Sequence, residues 1–266
     1  MKKIVAFALA LVMLFALAAC GQQPAAPAAA PAGAEKAMVY AVEAGSAGEA
    51  VALDKGWEIN SVDTQSKALM EVAAGTSDAA IIDLLMAGAM IGEGTSYPDM
   101  KLGEQLTEEE YGVGCRKGSD LPAFINGVFG EAYADGTMQE IAKTYGVQAS
   151  LLEQSDSMPE VAADGDVAYI QGKGKLTVGI TDFAPMDYKD DKGEWIGFDA
   201  DMAKLVAEKL GVEVEFVEID WDNKILELDS KSIDAVWNGM TLTSEVLNAM
   251  DCSNAYCNNA QVVVLP

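Results

Sequence analysis

The sequence predicts an α/β fold, on three observations. Short apolar runs of strand length, "MVYAV", "DAAIID", "KLTVGI" and "DAVWNG", recur along the chain. Between them lie stretches with apolar residues at helical spacing, such as "DADMAKLVAEKLG". The two patterns alternate instead of separating into blocks, as strands and helices do when they are layered on one another.

The elements follow in order. "MVYAV" (38–42) reads as a strand, and Gly45, Ser46 and Gly48 form a turn opening a helix that ends near Gly56. "SKALMEVAAG" (66–75) is a helix closed by Gly75, "DAAIID" (78–83) a buried strand, and "LLMAGAMIGEG" the helix after it. "EEYGVGCRKG" (109–118) reads as another strand. Ser119 and Thr137 are placed as N-caps of two further helices, Thr137 forming a capping box with Glu140. Residues 153–174 are polar and acidic and read as a connector, with "VAYIQG" as a candidate short element. The pattern then restarts: strand 175–180, a hairpin turning at Asp190 to Gly193, and a helix over 199–211 capped by Asp199. "VEVEFVEI" is a strand, "DNKILELDSKS" a helix, "DAVWNG" a strand, "SEVLNAM" a short helix and "NAQVVVL" a last strand. The halves share a rhythm but no repeated sequence.

Lys2 and Lys3 precede an apolar run, Ile4 to Ala16, that is too short to favour a membrane span. With "LAAC" at 17–20 this reads as a lipoprotein signal peptide over 1–19, cleaved before Cys20, whose thiol then carries lipid. The Ala/Pro-rich stretch that follows forms a tether over 20–37. The remainder is long enough for one large domain or two lobes. With 17 basic and 42 acidic residues the net charge is −25, a field that repels nucleic acid and anionic membranes and mildly favours cationic or zwitterionic small partners. No histidine is present, which removes His-based triads and metal sites. Cys115, Cys252 and Cys257 allow at most one intramolecular disulfide, and spacing does not choose the pair.

"ITDFAPMDYKDDKGEWIGFDADMAK" (180–204), with "IDWDNKILELDSKSIDAVWNGMTLTSE" and "NAYCNNAQVVV", resembles the polar amino-acid-binding proteins of ABC importers, solute-binding protein family 3. "VEAGSAGEA", "ALMEVAAGTSDAAIID" and "EEYGVGCRKGSDLPAFINGVFGEAYADGTMQEIAKTYG" resemble that family's second half. Together these cover about residues 38–150 and 170–266. The resemblance implies a two-lobed, periplasmic-binding-protein-like fold (type II). Its order here is reversed, so it also implies a circular permutant cut inside lobe 2, without the family's segment between the cut points. The implied division is lobe 2 over 38–107, a hinge strand and the C-terminal part of lobe 1 over 108–152, and the connector over 153–174. The N-terminal part of lobe 1 follows over 175–258 and a second hinge strand over 259–266. Antiparallel hinge strands would place Cys115 in any disulfide. Permutation succeeds where the joined ends are near and the new ends exposed.

The same resemblance implies a site for a zwitterion. Phe183 and Trp221 match aromatic walls, and Asp83 the position holding a ligand ammonium, a helix N-cap being its structural alternative. Asp182 is a candidate second negative contact. Asn238, Gly239 and Thr241 match a loop of hydrogen-bond donors; Gly45 and Ser46 match a helix-start loop that favours anions, with Glu43 and Ala47 beside it. The family's carboxylate-binding arginine falls where Val246 stands, and Arg116, the only arginine, lies on a strand outside the pocket. Either backbone donors hold a carboxylate alone, or the ligand is an amine lacking one.

The function implied is an extracytoplasmic solute-binding lipoprotein, lipid-anchored to the cell membrane, that captures an amino acid or related amine for an ABC permease. It is expected to be monomeric, without cofactor, metal, catalytic residue or nucleic-acid partner. The alternatives are a ligand-sensing domain for a receptor, or a dehydratase-like enzyme on the same fold with Glu43, Asp83 and Asp182 as acid–base groups.

Overall fold

Residues 37–266 are described by a computed structural model. The signal peptide over 1–19, Cys20 and the tether up to residue 36 lie outside the described residues. In chain order the first elements are β1 (Val39–Glu43), α1 (Ala47–Asp54), β2 (Glu58–Val62), α2 (Gln65–Ala74), β3 (Ala79–Asp83) and α3 (Leu84–Met90). β4 (Lys101–Gln105), β5 (Glu109–Cys115), α4 (Leu121–Asp135), α5 (Thr137–Thr144) and α6 (Asp166–Lys173) come next. β6 (Lys175–Ile180), the hairpin β7 (Tyr188–Lys189) and β8 (Trp195–Ile196), α7 (Phe198–Leu210), β9 (Glu213–Glu218), α8 (Lys224–Asp229) and β10 (Ala235–Thr241) follow. α9 (Ser244–Ala249), β11 (Asp251–Cys252), β12 (Cys257–Asn259) and β13 (Gln261–Leu265) complete the order.

Two sheets organise these elements. The first runs β2-β1-β3-β13-β4, with β1 parallel to β2 and β3, and β13 antiparallel to β3 and β4. Every residue of β3 is buried, which is why it reads as a continuous apolar run. The second runs β11-β5-β10-β6-β9, with β12 also on β5; β6 is parallel to β9 and β10, and β5 is antiparallel to β10. Phe129, Trp237 and Tyr256 interlock in its core, Phe129 lying 5.6 Å from each of the other two rings.

The chain passes between the sheets twice, over 106–108 and at Ala260. The two crossings are tied together: Leu106 N–H donates to Gln261 O at 2.7 Å, and Gln261 N–H to Thr107 Oγ1 at 2.8 Å.

Several local details differ from the sequence reading. Strands β2 and β4 were not foreseen, because both are edge strands whose polar, exposed residues leave no apolar run. Thr137 is the first residue of α5 and Gly136 its cap, at φ 89°. Asp199 lies inside α7, whose cap is Gly197; its buried carboxylate serves a different partner, described below. Within 153–174, residues 166–173 form α6, and its Asp166 and Lys173 pair with Arg116 and the buried Asp234. Cys115, Cys252 and Cys257 are free thiols: Cys252 stands opposite Gly114 and Cys257 opposite Tyr111, so neither faces Cys115.

Candidate functional site

Parallel strands leave a crevice at their carboxyl ends, where the chain turns away into helices. Here β1 ends at Glu43, β3 at Asp83 and β10 at Thr241. A cavity of about 260 Å³ lies among those ends, between the two sheets. Glu43, Gly45, Ser46, Ala47 and Asp83 line it from the first sheet, and Trp221, Asn238, Gly239, Thr241 and Val246 from the second. Phe183 and Asp182 are not among the lining residues.

Asp83 is 3 % exposed and makes no side-chain cap to α3. Its carboxylate is an acceptor for four side chains. Tyr111 OH donates to Oδ1 at 2.7 Å and Gln261 Nε2 at 3.1 Å; Asn259 Nδ2 also donates to Oδ1, and Gln65 Nε2 to Oδ2. Gln65 completes a reciprocal pair, its Oε1 accepting the Asp83 N–H at 2.8 Å. Burial, and next the charge of Glu109, push the Asp83 carboxyl up to about 7.

Glu43 lies beside it, 2 % exposed, and its Oε1 has no hydrogen-bond partner. Burial is the main reason its carboxyl is pushed up to about 8, with the charge of Asp83 second.

The turn after β1 is held from both sides. Gly45 adopts φ 69°, and a Cβ there would stand 2.7 Å from Asp222 Cα of the second sheet's 221–223 turn. Gly45 N–H donates to Glu49 Oε2 at 2.8 Å, and Ser46 Oγ caps α1 by accepting Glu49 N–H at 3.1 Å. Lys224 reaches across from α8: its Nζ donates to Gly45 O at 2.9 Å and to Trp221 O at 3.1 Å, 5.0 Å from the Trp221 ring centre.

On the second sheet, Asn238 is clamped to Thr181, accepting its N–H at 3.0 Å and donating to its Oγ1 at 2.7 Å. Gly239, at φ 57°, donates its N–H to Asp199 Oδ2 at 2.6 Å. Phe183 lies directly behind it, because a Cβ on Gly239 would be 2.3 Å from Phe183 Cε1. Phe183 is thus buried against Tyr111, edge to face at 6.4 Å, and supports the loop from beneath. Asp182 is exposed and meets Ser66 Oγ of α2 at 3.2 Å. Arg116 lies away from the cavity, bound to Asp166, Asp234 and Ile233 O.

Five residues of this arrangement were not singled out from the sequence: Gln65, Tyr111, Lys224, Asn259 and Gln261. Asn259 and Gln261 did carry a signal, as polar residues flanking an apolar strand run. Lys224 carried none, since a lysine opening a short helix reads as solvated surface.

Residues 176–266 match the model for bacterial extracellular solute-binding proteins, family 3. Among curated relatives, the arginine-binding extracellular protein ArtP of Bacillus subtilis is 37% identical over 94 residues, 35% of this chain and 36% of that protein. The L-cystine-binding protein TcyJ of Escherichia coli is 33% identical over 112 residues, 42% of each. The chain therefore spans less than half the length of these relatives. A solved ancestral cationic amino acid solute-binding protein is 41% identical over 32% of this chain and 37% of its own, with a TM-score of 0.31.

Proposed function

We propose that this chain is an extracytoplasmic solute-binding lipoprotein, anchored through lipid on Cys20, that captures an amino acid or related amine for an ABC importer. The observation that carries the reading is the cavity itself. It lies at the carboxyl ends of strands from two sheets, the chain crosses between those sheets twice, and a buried acceptor on Glu43 has no partner within it. The match over 176–266 supports the same reading, as does the binding role in the names of the relatives. No helix among the described residues is long and apolar enough to cross a membrane.

The proposed ligand contacts are Glu43, Gly45, Ser46, Asp83, Trp221, Asn238, Gly239 and Thr241, all on the cavity wall. The proposal includes a monomer in circularly permuted order, with lobe 2 over 38–107 and lobe 1 assembled from 108–152 and 175–258. The packing of 151–173 against the second sheet supports this joining: Leu152 N–H donates to Tyr256 O at 2.9 Å, and Asp166 pairs with Arg116 at 3.1 Å.

A thermal-shift screen of amino acids and alkyl amines tests the function, since a ligand that binds only the folded chain raises its melting temperature. At least one compound should raise it in a saturable way. A flat response across the whole panel rejects the binding reading.

A further inference from the structure

We propose that the cavity takes an organic cation without a carboxylate, an amine or guanidine on an alkyl stem, and that Glu43 is the residue selecting it. This inference rests on the binding reading above and narrows its ligand class.

Donors and acceptors around the cavity are unevenly committed. The loop N–H groups that would hold a ligand carboxylate already have internal acceptors. Gly45 N–H is on the Glu49 carboxylate at 2.8 Å, and Ser46 N–H on Glu43 O at 3.2 Å. Gly239 N–H is on Asp199 at 2.6 Å, and Thr241 Oγ1 donates to Glu109 at 3.0 Å. Asn238 Nδ2 has one N–H on Thr181 and Lys224 Nζ has two on carbonyls, which leaves each a single further N–H. A carboxylate bound by the Gly45, Ser46 or Gly239 N–H would have to displace one of these bonds. It would also meet the Glu49 carboxylate already bound at the turn where an anion would sit.

The acceptors show the opposite. Asp83 receives four protein donors, whereas Glu43 has only Thr181 and Gln65 beside its carboxyl and its buried Oε1 receives no donor. A buried acceptor without a donor is unfavourable unless a bound group supplies one. An ammonium or guanidinium does so with its charge, and Trp221 and Val246 on the same wall offer apolar surface to an alkyl stem. The charged groups acting on Glu43 are Asp83 on β3 and Lys224 on α8; Glu245 on α9 lines the same cavity, and Lys224 is in turn faced by Glu245, Asp222 and Glu49. With Glu43 held near 8 in the free protein, a cation placed against it would displace a proton on binding.

The test uses ligand pairs that differ only in the α-carboxylate: agmatine against L-arginine, and cadaverine against L-lysine, titrated calorimetrically into the purified chain. The amine of at least one pair should bind ten-fold or more tightly than its carboxylated parent. Glu43→Gln should weaken that amine at least ten-fold with the melting transition intact. Glu49→Ala, which removes the acceptor of the Gly45 N–H, should move the preference toward the parent. If both parents bind as tightly as their amines, the carboxylate-free class is wrong and the binding reading stands. If none of the four compounds binds, the inference is overturned, and the binding reading then stands or falls with the wider thermal-shift panel. An unchanged amine affinity in Glu43→Gln removes Glu43 from the selecting role whatever the pairs show.

Discussion

Replacing Glu43 by Gln should change how the stability of the unliganded protein depends on pH. Burial raises the Glu43 carboxyl from 4.5 to about 8. The folded state therefore binds this proton more tightly than the unfolded chain does. Its contribution is fully present below about 4.5, declines as the pH rises, and is lost above about 8. Each unit corresponds to about 1.4 kcal/mol, so the whole shift is worth on the order of 5 kcal/mol as an upper bound. Relaxation and water entry around a buried charge reduce this to about 2–3 kcal/mol. For a domain of this size that is a melting-temperature change of about 4–12 °C. Other pH-dependent effects, including the shifts of Asp83 and Lys224 and the repulsion of a strongly acidic chain, are largely common to both proteins. Melting followed by circular dichroism at pH 5, 7 and 9 should thus show the parent losing ground to Glu43→Gln by that amount between pH 5 and 9. Parallel curves for the two proteins would mean that Glu43 is ionised and paired in the free protein, and the account of the cavity would be wrong.

Three further outcomes follow from the geometry. Asp83→Asn sets an amide donor among the four donors that converge on this carboxylate. At pH 5, below its raised value of about 7, it should lower stability by about 2–3 kcal/mol in urea denaturation, the deficit shrinking as the pH rises through 7; an unchanged midpoint at pH 5 would contradict the network. Gly239→Ala places a Cβ 2.3 Å from Phe183 Cε1 at φ 57°, so it should destabilise by about 2–3 kcal/mol; a melting temperature equal to the parent's would show that Phe183 does not back the loop. Lys224→Met removes the bond to Gly45 O that links the two sheets. Hydrogen exchange at residues 44–46 should accelerate several-fold, and equal protection would show that the Gly45 turn is held without it.

Much of the fold was legible from the sequence, for identifiable reasons. β1, β3, β6 and β10 lie inside their sheets, and burial on both faces demands the apolar runs that announce them. Gly75 and Gly211 end α2 and α7 in the left-handed conformation, at φ 72° and 74°, which glycine adopts without steric penalty. The edge strands β2 and β4 were not legible, because a strand facing water on one side and unpaired along one edge has no need of apolar residues. Most of the residues read as site candidates do meet in one cavity. Phe183 was legible as an aromatic near the site, but not as a residue packed behind Gly239.

The sequence by itself therefore determined the α/β class, the interior strands and the glycine-closed ends of α2 and α7, and its family resemblance pointed to Glu43, Asp83, Asn238 and Gly239 as site candidates. Only the tertiary structure decided what those groups can still bind. The four donors on Asp83 come from residues 65, 111, 259 and 261, in four segments distant along the chain. Periodicity along a sequence encodes which face of an element is buried, whereas hydrogen-bond partners are set by how distant elements stack. Asp83 and Glu43 both end a parallel strand of the first sheet and read alike in one dimension. In three dimensions the lone pairs of Asp83 are filled by protein donors, and Glu43 Oε1 is buried with none.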